Sequence, residues 1–332
     1  MLHGKHEHVE ETPLLEKPAG RTPGSGLVAV ASTHVAVFVV ALVFLLRHRA
    51  SLEPPSAETL AAGMHLDALA LGLVRVALGS VVWVSCLRIL ADREPLVLHI
   101  PDRSLLLTSS ERGLDSESRS GETKLIPLKH LGRFTTFTVW CWTVLGVYLA
   151  MASYTSFAYF YGWEVSQEFL FATTVAFEVS FGTSYLVTTV VTFVLYPRHI
   201  KDGLDHMSLF EFYNVLLHNA NVLIMAVEFV LNKIPFDFVH FPFIVLFGQL
   251  YVLFSLWLHT RIGVFYYFFL DYEAPYAAFL QLGLLFLVSY YDSPIINSDC
   301  GVARAVLFSW GGHLTNHADK LYDGDDLLSS KL

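Results

Sequence analysis

His218, Asn214, Asn221, Glu211 and Glu228 fall within a run of chain that is otherwise apolar enough to enter a bilayer, centred on "LLHNANVLIMAVE" at 216–228. At about 100° per helical residue, with His218 as zero, Glu211 lies near 20°, Asn214 near −40°, Asn221 near −60°, Met225 near −20° and Glu228 near −80°. Only Asn219 leaves the stripe. Ionisable groups cost ~2.5–3.5 kcal/mol each at the centre of a membrane helix, so such a stripe lines a hydrated pocket or faces a partner. A polar seam of hydrogen bonds between helices is the competing reading. A histidine in a pocket suits general acid-base chemistry, because its ordinary pKa of ~6.5 lets it take and return a proton near neutrality.

Acid-base work needs a nucleophile or a pathway. "FTTFTVWCWT" at 134–143 offers several threonines, although threonine in a membrane helix more often bonds back to its own backbone. No G-x-S-x-G elbow, H-E-x-x-H pair or P-loop occurs. Cys86, Cys141 and Cys300 are too few and too scattered for a disulfide framework or a metal cluster. No cofactor and no metal are expected. Glu178, His218 and Glu228 also invite a transporter's proton relay. Asp67 and Arg75 stand two turns apart near one face of the second helix, where an ion pair between them or with a neighbouring helix is expected.

The elements that must position these groups follow from hydropathy. The chain has 332 residues, 54% hydrophobic and only 15% charged, well below the ~25% charged of soluble domains. Seven runs approach the ~20 apolar residues that a bilayer requires: 26–46, 66–90, 134–157, 169–196, 209–231, 241–259 and 275–291. The expected fold is an all-α polytopic transmembrane bundle of about seven spans over 26–291, flanked by tails at 1–25 and 292–332. The first run lacks a small-residue cleavage site and reads as a retained helix. Residues 1–25 and the serine-rich 92–133 read as disordered cytosolic segments. No internal repeat of the transporter kind is visible.

Excluding Arg75, 14 Lys and Arg residues collect on one side of this topology and six on the other, which predicts a cytosolic N-terminus. "EETPLL" then presents Glu10, Leu14 and Leu15 as an acidic dileucine signal for clathrin-adaptor complexes. "DGDDLL" at 323–328 has the same form but is expected on the far side. The terminal Ser330-Lys331-Leu332 spells a peroxisomal address that a membrane protein with a non-cytosolic tail is not expected to use. The location expected is an endomembrane or the plasma membrane. No basic stripe with interleaved aromatics supports nucleic-acid binding.

Three patches resemble the androgen-induced and androgen-dependent integral-membrane hydrolases, with the rolling stone proteins as a wider group. They are Thr138-Val-Trp140-Cys-Trp142-Thr143 with Tyr148 behind it, Leu217-His218 with Glu228, and Trp257-Leu-His259 followed by Gly263-Val-Phe265-Tyr-Tyr267-Phe-Phe269-Leu270. Their order covers 134–291. A proline usual in the third patch is replaced by Phe268, and the first helix is added to a core of about six spans.

The resemblance implies hydrolysis of fatty acid esters of hydroxy fatty acids, with Thr138 as nucleophile and His218 as its base. Thr143 and Thr136 are the alternative nucleophiles. Asn221, Asn214 and His259 are candidate oxyanion donors. Glu178 is the carboxylate expected to orient His218, since Glu228 lies about 15 Å further along the helix. The rolling stone branch implies instead a non-enzymatic adhesion or receptor protein.

Overall fold

The computed structural model describes residues 25–64, 66–92, 96–101, 123–201, 212–263, 265–272 and 283. The seventh expected span, both tails with their sorting motifs, Cys300 and Glu211 lie outside the described residues. Helix α1 is Ser25–Arg47, α2 is Ala57–Ala61 and α3 is Ala68–Ala91. Helix α4 is Phe137–Tyr161, and α5 runs from Gln167–Val190 through a π-helical turn, Val191–Leu195, into Tyr196–Lys201. Helix α6 joins Phe212–Val215, a second π-helical turn at Leu216–Ala220 and Asn221–Leu231, and α7 is Phe241–Ile262.

Local chemistry sets the boundaries of these helices. Asp67 caps α3 by accepting from Ala70 N at 2.7 Å, and Ser166 caps α5 by accepting from Phe169 N at 3.3 Å. Asp67 is therefore a cap, not the partner of Arg75. Gly162 (φ 72°) and Gly263 (φ 74°) end α4 and α7 in the left-handed conformation that favours glycine. Pro242 in the first turn of α7 forfeits an amide proton that had no intrahelical acceptor.

Five of these helices, α1, α3, α4, α5 and α7, are long and apolar enough to cross a membrane, and α6 is a shorter apolar helix. Their outer faces agree: Val39, Val40, Leu46, Leu73, Val84 and Leu87 are exposed, an arrangement that lipid tolerates and water does not. Exposed Tyr159, Phe160, Tyr161 and Trp163 gather at the end of α4, like the aromatic belt of a membrane interface. The segment 92–133 is not wholly irregular as expected. Leu96–Pro101 pairs antiparallel with Thr123–Leu128, and a 3₁₀ turn at His130–Thr135 leads into α4. These short β-forming runs were hidden by the serine-rich composition between them.

Helix α3 packs along α4, α4 along α5, and α1 lies against α7. The α3–α4 contact is close at Gly146, where an added Cβ would come within 2.9 Å of Val82. At one end of the bundle an ion pair joins three helices. Arg75 on α3 donates from Nε (2.9 Å) and Nη2 (2.5 Å) to Glu228 Oε1 on α6. Its Nη1 donates to Leu60 O at 2.7 Å, Ala152 O at 3.2 Å and Ser156 Oγ at 2.8 Å. Tyr148 of α4 donates to the same Glu228 oxygen at 2.6 Å, and both charged side chains are fully buried.

Removing one partner of a buried pair strands the other charge, whereas replacing both with apolar residues can be nearly neutral. Arg75→Met and Glu228→Leu should each destabilise the fold by about 3–5 kcal/mol, and the double variant should recover most of that loss. Unfolding in detergent micelles followed by circular dichroism measures both effects.

Candidate functional site

Alternating helix directions place the start of α4, the end of α5 and the end of α7 together, at the opposite end from the Arg75 network. Between the start of α4, the second half of α5 and the first half of α7 the helices leave a cavity of about 120 Å³ whose wall is almost wholly apolar. Leu186, Val187, Val190 and Val191 of α5 form one side, Ile244, Val245 and Val252 of α7 another, and Phe269 and Leu270 of the segment after α7 help to close it. Its polar lining is confined to His34 on α1, Thr138 on α4, Thr183 on α5, Gln249 and Tyr251 on α7, and Tyr267.

Thr138 sits in the first turn of α4, a helix whose N-cap residue, Thr136, provides no side-chain cap. Helix starts leave amide protons without intrahelical acceptors. The Tyr267 phenol lines the cavity at this end, near enough to the Thr138 hydroxyl and to the backbone at Phe137 and Thr138 to feel their influence, without a hydrogen bond between them. Burial pushes that phenol up to about 12, against the lowering effect of these contacts, so it stays neutral at physiological pH. Tyr251 OH donates to Thr135 O at 3.2 Å, and Thr135 Oγ1 donates to Tyr266 OH at 3.0 Å, fixing the turn that precedes Thr138.

The other threonines are occupied locally. Thr136 Oγ1 donates to Arg133 O at 3.0 Å, and Thr143 Oγ1 donates to Val139 O at 2.8 Å, the back-bonding habit of the residue type. Neither alternative nucleophile lines the cavity. Thr183 does so, but its hydroxyl is committed to Val179 O at 2.6 Å. Of the three threonines expected as nucleophiles, Thr138 is the one that lines the cavity.

His218 does not meet Thr138. Its carbonyl accepts from Thr188 Oγ1 on α5, and its buried Nδ1 has no hydrogen-bond partner. The cavity-lining face of α5 centres near Val187 and Val190, and Thr188 lies about 130° around the helix from that centre. The π turn at Leu216–Ala220 packs against α4 as well as α5, with Leu216 and Leu217 in the same apolar cluster as Val139 and Trp142. Among the described residues no hydrogen bond joins the His218 ring to Thr138, although its Nδ1 is buried on the inward side of the widened turn. Asn219 is exposed and Met225 buried, as the stripe requires.

The supporting residues also separate. Asn221 Oδ1 accepts from Val222 N at 2.7 Å and from Thr188 Oγ1 at 3.2 Å, while its buried Nδ2 has no partner. It belongs with His218, not with Thr138. Glu178 does not orient His218: His240 Nδ1 lies 3.1 Å from its Oε1, which also accepts from Asp237 N at 3.2 Å. Glu228 is held by Arg75, and His259 stacks on Phe265 at 4.1 Å. Asn214 is half-buried and not part of the cavity wall.

The sequence reading missed His34 and Gln249, joined at 2.7 Å across α1 and α7. The available signal was a lone histidine in the middle of a span free of Asp, Glu, Lys and Arg until its end.

Neither family models, nor curated proteins, nor solved structures yield a match to this chain.

An added Cβ at Gly248, which lines the cavity, meets nothing within 4 Å. Gly248→Leu should fill the cavity without lowering the melting temperature, whereas Gly146→Leu should lower it markedly. Thermal unfolding of the two purified variants tests the contrast, and retained hydrophobic-dye binding by Gly248→Leu would contradict the placement of the cavity.

Proposed function

We propose that the protein is an integral-membrane lipid esterase that admits an acyl ester into the apolar cavity and cleaves it at Thr138. The observation that supports this reading most is Thr138 on the cavity wall at the start of a helix, with the Tyr267 phenol on the same wall. An acyl chain matches the wall, and fatty acid esters of hydroxy fatty acids are the substrates that the resemblance implies.

Thr138 Oγ1 attacks the ester carbonyl while its proton passes to the Tyr267 oxygen, and Tyr267 gives its own proton to the departing alcohol. The developing oxyanion accepts a hydrogen bond from a first-turn amide of α4, where the helix dipole favours negative charge. Water then attacks the acyl-threonine, the same phenol relays a proton, and the free acid leaves. In this relay Tyr267 takes the base role that the resemblance implies for His218. The Lys and Arg distribution supports a cytosolic N-terminus, which would bring Glu10, Leu14 and Leu15 within reach of adaptors at an endomembrane or the plasma membrane.

A second reading, lipid binding without cleavage, draws on a specific observation: among the described residues, no histidine or carboxylate bonds to the Thr138 hydroxyl. Turnover by the purified protein in nanodiscs decides between them. Thr138→Ala should reduce ester hydrolysis to background and Thr138→Ser should retain part of it. Tyr267→Phe should lose about 10²–10⁴-fold. Loss of activity in a folded His218→Ala variant would return the base to His218 and sink the tyrosine relay. If wild-type protein binds the ester and never cleaves it, the binding reading holds.

The pH profile is an independent check. A phenol held near 12 stays protonated from about pH 6 to 9, so the rate should be flat across that interval.

A further inference from the structure

We infer that His34 and Gln249 form a recognition site for the hydroxyl group of a single-chain lipid, built on the added first helix and opening into the cavity. Both side chains are nine-tenths buried, at 7% and 3% exposure, and both line the cavity. A polar pair so deep in an apolar wall is costly unless its hydrogen-bonding capacity is used.

That capacity is only half used within the chain. His34 Nδ1 meets Gln249 Oε1 at 2.7 Å. The amide oxygen accepts, so Nδ1 carries the proton, and the neutral ring then presents Nε2 as an acceptor. Among the described residues no group donates to Nε2. The Gln249 amide nitrogen has two donor protons of its own on the other side of the ring. A hydroxyl satisfies the ring by donating its proton to His34 Nε2. An ether or a hydrocarbon has no proton to donate there. The cavity, at about 120 Å³, fits a segment of alkyl chain better than a sterol's fused rings.

This site rests on the cavity of the proposed esterase but not on Thr138 chemistry. For the esterase it fixes where a hydroxylated product, or the free hydroxyl of a substrate, is held. It also gives the added α1 a part in selectivity.

The test is equilibrium binding to full-length protein in nanodiscs, using Thr138→Ala as well as wild type so that turnover plays no part. The probes are a diazirine-tagged C12 alcohol, its methyl ether, and a sterol. Wild type and Thr138→Ala should both capture the alcohol about tenfold better than the ether, the scale of one hydrogen bond in a buried site. His34→Phe and Gln249→Leu should lose the preference while still binding the ether. Equal capture of alcohol and ether by wild type would overturn the inference without any variant having to fold, and so would a sterol preferred over the alcohol. A preference that survives in His34→Phe would also overturn it. Hydrolysis failing while the alcohol preference stands would sink the esterase reading alone.

Discussion

The buried ion pair between Arg75 and Glu228 is the constraint on which the arrangement of the helices depends. An arginine in a bilayer must find acceptors for a planar fork of donors, and this one finds them on α3's neighbours. Glu228 fixes the rotation of α6, while the Ala152 carbonyl and Ser156 hydroxyl fix α4. Leu60 ties in the short helix before α3. Because Tyr148 shares the same carboxylate oxygen, the aromatic spine of α4 is set in register with α6. Every group lost from this cluster leaves the others without water to fall back on.

A division of labour along the membrane normal follows. Charged pairs, Arg75–Glu228 and Glu178–His240, occupy the half near the end of α4 and the start of α7. The opposite half is held by aromatic packing, with Trp140 against Tyr251 and Phe254, and Phe137 against Tyr251. Dispersion and edge contacts tolerate a gap better than a buried charge does. The cavity reaches from Thr138 at the start of α4 to Ile244 near the start of α7, between these two halves. Thr138 and the His34–Gln249 pair face the same space from different helices.

Much of the architecture is legible from the sequence because hydropathy and span length are local properties. The expected runs 26–46, 66–90 and 241–259 differ by only a few residues from Ser25–Arg47, Ala68–Ala91 and Phe241–Ile262. Partner choice is not local. Asp67 looked like a mate for Arg75 from helical spacing, but a residue just outside a helix start serves the amide protons there instead. Glu178 looked available for His218 until His240, just before α7, claimed it. The stripe on α6 is legible as an inward face, with Met225 and Glu228 buried and Asn219 exposed, but which neighbouring group His218 meets is not a local property. Thr138 was singled out by residue order and then found on the cavity wall, whereas Gln249, an amide in a strongly apolar helix, carried a signal that was passed over.

The widened turn at Leu216–Ala220 has a consequence for how this chain tolerates insertions and deletions. A π turn is an α-helix with one residue too many, and all that follows is rotated by about 100° relative to a regular helix. Asn221, Met225 and Glu228 lie downstream of it, so their inward facing is inherited from that surplus residue. Removing a residue from this turn would leave a smoother helix and swing the carboxylate out of Arg75's reach. The irregularity beside His218 is thus the phase setting of α6, and the ion pair at the far end of the helix reads that phase.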